Sequence, residues 1–365
     1  MDRAQLKEVC EVNWGDTSVT KSSYVDAGYP AFSASGCDGF LPYFDHEGPG
    51  VVLSAIGAQC GKTWFTRGKW SCIKNTIYIK SKDSDVDTQY VFYALSDPEV
   101  WPKRGAAQPF ISQTDARNVE ISLPSLRIQR RIASILSAYD ELIENSQRRI
   151  KILETMARAL YREWFVHFRF PGHDSVRRVS SPLGEIPEGW EVRKLGNLAD
   201  ISWGDTSTTK ASYVTEGYAA YSASGLDGKL DHYDFERIGV VLSAIGAQCG
   251  RTWLARGKWS CIKNTIRFWS KDESTSTEFL FVATAGQNFW PRRGAAQPFI
   301  SQGDAERREL VIPDRDTMKR FTDFVADALE QIAVLEEQIQ TLRRTRDLLL
   351  PRLLSGQIDV ETMPA

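Results

Sequence analysis

Two stretches of the chain carry an apolar repeat spaced three and four residues apart. In the first, Ile128, Ile132, Ile135, Tyr139 and Leu142 succeed one another, and the pattern resumes at Ile150, Leu153, Leu160 and Trp164. In the second it runs through Phe321, Val325, Ala328, Ile332, Leu335, Ile339, Leu342 and Leu349. Such a seam predicts long helices that wind around a partner. Each stretch opens at a proline followed by a capping residue, Pro124-Ser125 and Pro313-Asp314. Helices of roughly 40 residues extend about 60 Å at 1.5 Å per residue. That is too long for one small domain to cover, so each helix is expected to find its partner in the other, running antiparallel. Elsewhere short β-branched and aromatic runs alternate with glycine-containing turns, the pattern of strands.

A constant offset of 189 residues relates the two halves. It pairs Trp14 with Trp203, Cys60 with Cys249 and Gly105 with Gly294, and it continues along the seams from Ile143 and Ile332 to Leu160 and Leu349. Three blocks are identical: GVVLSAIGAQCG at 50 and 239, RGKWSCIKNTI at 67 and 256, and RGAAQPFISQ at 104 and 293. The copies differ mainly over residues 37 to 49 and 78 to 101, which read as loops. The organisation expected is a globular copy at 1–123, a long helix at 124–170, a Pro/Gly/Ser-rich linker at 171–190, a second globular copy at 191–313 and a second long helix at 314–355. This is an α+β architecture: two similar mixed domains held apart by an antiparallel two-helix coiled-coil spacer with pseudo-two-fold symmetry.

The repeated GAQCGKT could be mistaken for a phosphate-binding loop. Only three residues separate Gly57 from Gly61 where that loop needs four, and the residues after Thr63 read as strand rather than helix. The second copy has Arg251 where the first has Lys62, and a guanidinium is a poor substitute for that lysine in a nucleotide-binding loop. Among six cysteines no C-x-x-C occurs, and none of the four histidines recurs at the equivalent place in the other copy, so no duplicated metal site is expected. The cysteines are expected to be small buried hydrophobes. Without an apolar signal core or a membrane-length apolar run, a cytoplasmic protein is expected.

The recurring carboxylates Asp16/Asp205, Asp38/Asp227, Asp45/Asp234, Asp83/Asp272 and Asp115/Asp304 sit beside turn-forming neighbours and are expected to be turn and capping residues. No catalytic residue is expected. Net charge is -2, from 45 basic and 47 acidic residues, so a nucleic-acid surface would have to be a local patch. The repeated cations and amides are its candidates. In the first copy these are Lys21, Ser35, Gln59, Lys62, Arg67, Lys69, Lys74, Lys103, Arg104 and Gln108; in the second they are Lys210, Ser224, Gln248, Arg251, Arg256, Lys258, Lys263, Arg292, Arg293 and Gln297. Lys and Arg suit phosphates and guanine edges, and amides can pair with adenine.

Three local phrases give the chain a family resemblance: IPEGWEVRKLGNLADI at 186–201, SLPSLRIQRRIASILSAYDELIENSQRRIKILE at 122–154 followed by ALYREWFVHFRFPG, and LLLPRLLSGQIDV at 348–360. With the repeat of a domain followed by a long helix, the chain resembles the DNA-specificity subunit of type I restriction-modification enzymes over nearly its whole length. The resemblance implies two target-recognition domains on double-stranded DNA and a chain that is not itself a catalyst. Its helices would bind two methyltransferase subunits, and motor-nuclease subunits would join through the complex. S-adenosylmethionine, ATP and magnesium would then belong to those partners, leaving this chain without a cofactor of its own and without a membrane role. One departure is Met318 where the first copy has Gln129, so the partner contact there is expected to differ. Because the two copies are so alike, the implied half-sites should be alike too, giving a nearly palindromic target around an unread gap. The rival readings are a bivalent adaptor for protein or carbohydrate ligands and a specificity subunit of a different phage-defence complex.

Overall fold

In the computed structural model, residues 3–105, 107–294 and 296–361 are described, apart from the side chain of Gln287. Ala106 and Ala295, inside the repeated RGAAQPFISQ block, lie outside them. The chain forms two compact units, Met1–Ser146 with Gln338–Ala365 and Gln147–Glu337.

In the first unit, valine, isoleucine and tyrosine runs form two four-stranded sheets. One has the order Cys10–Trp14, Thr76–Ser81, Gly50–Ser54, Thr63–Thr66, with antiparallel neighbours throughout. The other has the order Gly36–Leu41, Tyr29–Ser33, Lys69–Cys72, His46–Glu47, with one parallel pairing between Tyr29–Ser33 and Lys69–Cys72. Gly50–Ser54 is buried along its full length, as a VVL run in the middle of a sheet requires. Trp70 is wholly buried, and its indole N–H donates to the Gly48 carbonyl at 2.9 Å. Truncating such a ring to alanine costs about 3–5 kcal/mol. The helix Thr88–Ala94, capped by Asp87, packs on the first sheet, and Arg3–Gln5 closes the fold by pairing with Glu120–Ser122.

The second unit repeats this plan. Its sheets are Ala199–Trp203, Thr265–Ser270, Gly239–Ser243, Thr252–Ala255 and Gly225–Leu230, Tyr218–Ser222, Lys258–Cys261, Phe235–Glu236. Trp259 takes the place of Trp70, donating to the Arg237 carbonyl at 2.7 Å. The segment at 171–190 is more ordered than its composition suggests. It contains the hairpin Arg178–Ser181 with Gly184–Pro187, and Ile186 and Trp190 enter the unit's core beside Phe165 and Phe170.

The two long helices run Leu126–Tyr161, followed by a π-helical turn at Arg162–Val166, and Arg315–Leu354. Each unit receives a segment of both. In the first unit Ile132, Ala133 and Leu136 cluster with Leu353, Val360, Tyr90 and Tyr93, while Asp140 meets Arg346. The paired numbers rise on one helix as they fall on the other, so these segments run antiparallel. In the second unit Tyr161 and Phe165 pack against Phe321 and Phe279 within a large aromatic cluster.

Several expectations are corrected. Leu142 is 55% exposed, and Ile143, which the 189-residue offset pairs with Ile332, holds the seam in its place, followed by a buried Ser146. The divergent stretches are not simply loops, because 37–49 takes in most of strand Gly36–Leu41 and 78–101 contains the Thr88–Ala94 helix. Their residues change while the pattern persists, as with Leu41 and Leu230, both buried. Cys37 is exposed and Cys60 half-buried, whereas Cys10, Cys72, Cys249 and Cys261 are buried. Gln129 is not a partner contact: it is buried, accepts from the Asp87 amide at 2.8 Å and donates to the Pro124 and Asp85 carbonyls. Its counterpart Met318 is buried too, so the difference between them is internal packing.

Candidate nucleic-acid interface

Strand geometry sorts the repeated cations. Lys62 and Lys74 flank one end of the successive strands Thr63–Thr66 and Lys69–Cys72, while Arg67 and Lys69 lie at the turn joining their other ends. Four residues of strand separate those ends by about 13 Å at 3.3 Å per residue.

Around Lys62 the structure gathers most of the candidates. Ser54 Oγ donates to the Ala34 carbonyl at 3.1 Å, joining the turn that carries Ser35 to the loop that carries Gln59. Lys62 lies over the Trp64 ring, 5.7 Å from its centroid. Lys21 bonds Ser35 Oγ at 3.3 Å, and the Lys74 amide donates to Val19, tying the Lys21 loop to the Asn75 turn. On the other side of the Gln59 loop, Gly57 donates to the Pro109 carbonyl at 3.0 Å and Ile56 bridges to Phe110. Lys21, Ser35, Gln59, Lys62, Lys74, Lys103, Arg104 and Gln108 therefore share one contiguous, exposed face. The second copy builds the same face from Lys210, Ser224, Gln248, Arg251, Lys263, Arg292, Arg293 and Gln297, with Gln248 half-buried against Arg251.

Arg67, Arg256, Lys69 and Lys258 do not join it. Arg67 donates to Gln89 on the Thr88–Ala94 helix at 2.9 Å, and Arg256 is ion-paired with Glu330 of the second long helix at 2.8 Å. Lys69 sits over the Phe44 ring at 4.5 Å and Lys258 over Tyr233 at 4.7 Å. The repeat marked these residues because the RGKW turn itself is repeated, not because they face the other candidates.

Two carboxylates shape each face. Asp38 accepts from Lys21 at 2.5 Å, Ser33 at 2.7 Å and Tyr24 at 2.8 Å; Asp227 does the same for Lys210, Ser222 and Tyr213. These are network centres rather than turn or cap residues. Burial pushes both carboxyls up, but the lysine, serine and tyrosine donors outweigh it and hold them below the usual carboxylate range. The ring of Tyr24 lies flat where a side chain at Gly39 would stand, 1.9 Å from a Cβ built there. Asp115 accepts from Ser112 at 2.6 Å and from Arg104 at 2.5 Å. Asp304, 4% exposed, accepts from Ser301, Arg293 and Arg307. Asp16 and Asp205 remain turn residues, each accepting from the serine two positions on, and Asp205 falls to about 2 through its bonds from Ser207 and Thr208.

The sequence pattern of polar repeats does not mark Phe110 and Phe299, which are 39% and 40% exposed in the middle of the face, or Trp64 and Trp253 beneath Lys62 and Arg251. All four recur at the 189-residue offset, which is the signal that could have found them; a search confined to polar types passes over them. Among the described residues no group of three or more His, Cys, Asp or Glu is arranged to hold a metal, and no helix is long and apolar enough to cross a membrane.

A family model, the type I restriction modification DNA specificity domain, matches residues 1–155 and again 187–344. The type I restriction enzyme MjaVIII specificity subunit of Methanocaldococcus jannaschii is 32% identical over 353 residues, covering 86% of this chain and 80% of that protein. The MjaIX specificity subunit of the same organism is 25% identical over 342 residues, covering 86% and 79%. In fold, the chain is similar to the type I restriction-modification S subunit from M. genitalium, with a TM-score of 0.66 at 16% identity over 97% of this chain and 96% of that one. The chain belongs to the type I restriction-modification DNA specificity family.

Proposed function

We propose that each copy binds one half of a bipartite DNA target, and that the chain is a non-catalytic recognition subunit. The observation that carries this reading is the duplicated face: exposed cations, amides and an aromatic ring, held by the same carboxylate networks in both copies. Cations there would engage phosphates, and Gln59, Gln108, Ser35 and their counterparts would reach base edges. The long helices dock methyltransferase subunits and set the distance between half-sites; motor-nuclease subunits join through that complex.

Near-identity of the two faces supports nearly identical half-sites. The face differs between copies at Lys62/Arg251 and Lys103/Arg292, which keep their charge, and at Val19/Thr208, Ser22/Ala211 and Cys37/Leu226 close by. Two like half-sites read in opposite orientations would make the target a near-palindrome.

Affinity of the intact chain for duplex DNA of mixed sequence, measured across salt concentrations, tests the reading. Affinity should fall linearly on a logarithmic salt scale, with a slope of about -0.9 per phosphate contacted. A chain without salt-dependent DNA binding would instead be a bivalent adaptor for another ligand.

A further inference from the structure

Phe110 and Phe299 stand out among the exposed apolar residues. In the described part of the chain they are the aromatic pair that is strongly exposed at the same position of both copies. Phe40 and Tyr43, also exposed, are answered by Lys229 and His232 in the second copy. An isolated exposed phenylalanine is ordinary; one presented twice, on paired backbone among cations, is not explained by chance exposure.

The support is specific. Arg104 and Phe110 exchange both backbone hydrogen bonds, at 2.9 and 2.8 Å, and so do Arg293 and Phe299. Gly105 and Gly294 turn the chain in the left-handed region, with φ of 81° and 79°, and a Cβ at either would meet the Gln108 or Gln297 carbonyl at 2.7 or 2.6 Å. Ile111 and Ile300, next in sequence, are wholly buried, which fixes the preceding ring outward. The arginine at the base of the tip is clamped by Asp115 or Asp304. Each ring is thus held outward by paired backbone bonds beside Lys103 and Arg104, or beside Arg292 and Arg293. Apolar side chains presented in this way beside phosphate-binding cations suit insertion against a base step, where they unstack and bend the duplex.

We infer that Phe110 and Phe299 are apolar wedges, one for each half-site, that enter the base stack of the bound DNA. The inference rests on the proposed DNA-binding face. Its test uses the full chain co-expressed with its methyltransferase partner, bound to a duplex carrying the motif that partner methylates. 2-Aminopurine is placed in turn at each half-site position except the methylated base, which a methyltransferase flips by itself. The wild-type complex should brighten one position in each half-site. Phe110→Ala should silence one of the two and Phe299→Ala the other, each weakening binding about tenfold, in the range of losing one aromatic contact with bases. The salt slope should stay unchanged because no phosphate contact is lost.

Phe→Leu at both positions keeps the apolar packing and should retain most of the signal; Phe→Gln should not, and it guards against alanine variants that fail to fold. Folded Ala or Gln variants that bind and brighten like wild type would overturn the inference while leaving the DNA-binding face intact. A reduced salt slope in those variants would also overturn it, by making the rings mere supports for Arg104 and Arg293. Wild-type chain without salt-dependent binding would remove the face itself, and the wedge with it.

Discussion

One seam position of the second long helix is charged. Along one line of that helix the buried and half-buried residues Leu335, Ile339, Leu342, Arg346, Leu349 and Leu353 succeed one another in steps of four, three, four, three and four. Arg346 donates to Asp140 at 2.5 Å, Asp140 accepts from Tyr93 at 2.6 Å, and Asp347 takes the remaining guanidinium bonds at 2.8 and 3.0 Å. This network lines a groove of about 980 Å³ in the first unit. The second unit has apolar residues at the positions related by 189: Val282, Leu329 and Ala157, all buried. Removing one partner of a fully buried pair costs about 3–5 kcal/mol, and of an exposed pair about 0–1 kcal/mol. With side chains 29% and 33% exposed, Arg346 and Asp140 fall between, so Arg346→Ala should cost about 2 kcal/mol. Converting the three to their counterparts, with Tyr93→Val, Asp140→Leu and Arg346→Ala together, leaves only the water-exposed Asp347 without its partner and should lie within about 1 kcal/mol of wild type. Native-state hydrogen exchange resolves the two units. In Arg346→Ala, peptides covering Thr88–Ala94 should open about 30-fold more often, the equivalent of 2 kcal/mol, while those from Thr277–Thr284 stay unchanged. A triple variant as destabilised as the single one, or a neutral single variant, would refute this account of the network.

Three further outcomes are expected. At pH 8 an added maleimide should react first with Cys37, the exposed thiol, although burial and the nearby Asp38 push its pKa up; Cys10, Cys72 and Cys261, pushed up to about 12 chiefly by burial, should wait for unfolding, as timed mass spectrometry would show. Gly39→Ala must displace the Tyr24 ring from Asp38, costing about 1–3 kcal/mol by overpacking and loosening the Asp38 network that positions Lys21, read as a loss of stability together with weaker DNA binding. Asp304 is held below the usual carboxylate range by the Ser301 hydroxyl, against the opposing push of burial, and further by Arg307 and Arg293. A depressed folded pKa stabilises above the unfolded value, and that stability is lost as pH falls through the folded one. Asp304→Asn should therefore lower stability at pH 7 by about 1–3 kcal/mol, and the gap to wild type should close as pH falls below 3.8, as urea titrations at several pH values would show.

Much of the architecture was legible because repetition is a strong signal: an offset that never slips pairs strands and helices of one copy with those of the other. The seams were legible only as far as they are apolar. Leu142 and Ile143 are adjacent and both apolar, so spacing alone chose the wrong one where the repeat offset marked Ile143, and the polar seam residues Ser146 and Arg346 were invisible to an apolar count. The divergent stretches read as loops because their residues change, yet a strand or helix needs only its buried positions kept. For the site, duplication marked the right kinds of residue but could not say which end of a strand they occupy. Lys62 and Lys69 are seven residues apart with the same charge, and only the strand course separates them into a shared face and a remote turn.

Each copy is proposed to read one of two like half-sites. Co-expressing the chain with the methyltransferase subunit encoded beside it, and mapping methylated adenines on plasmid DNA molecule by molecule, tests that most directly. The expected result is one two-part motif whose halves are near inverted copies separated by a gap of fixed length. Two unrelated half-sites, or a stable complex that methylates without any two-part motif, would contradict it.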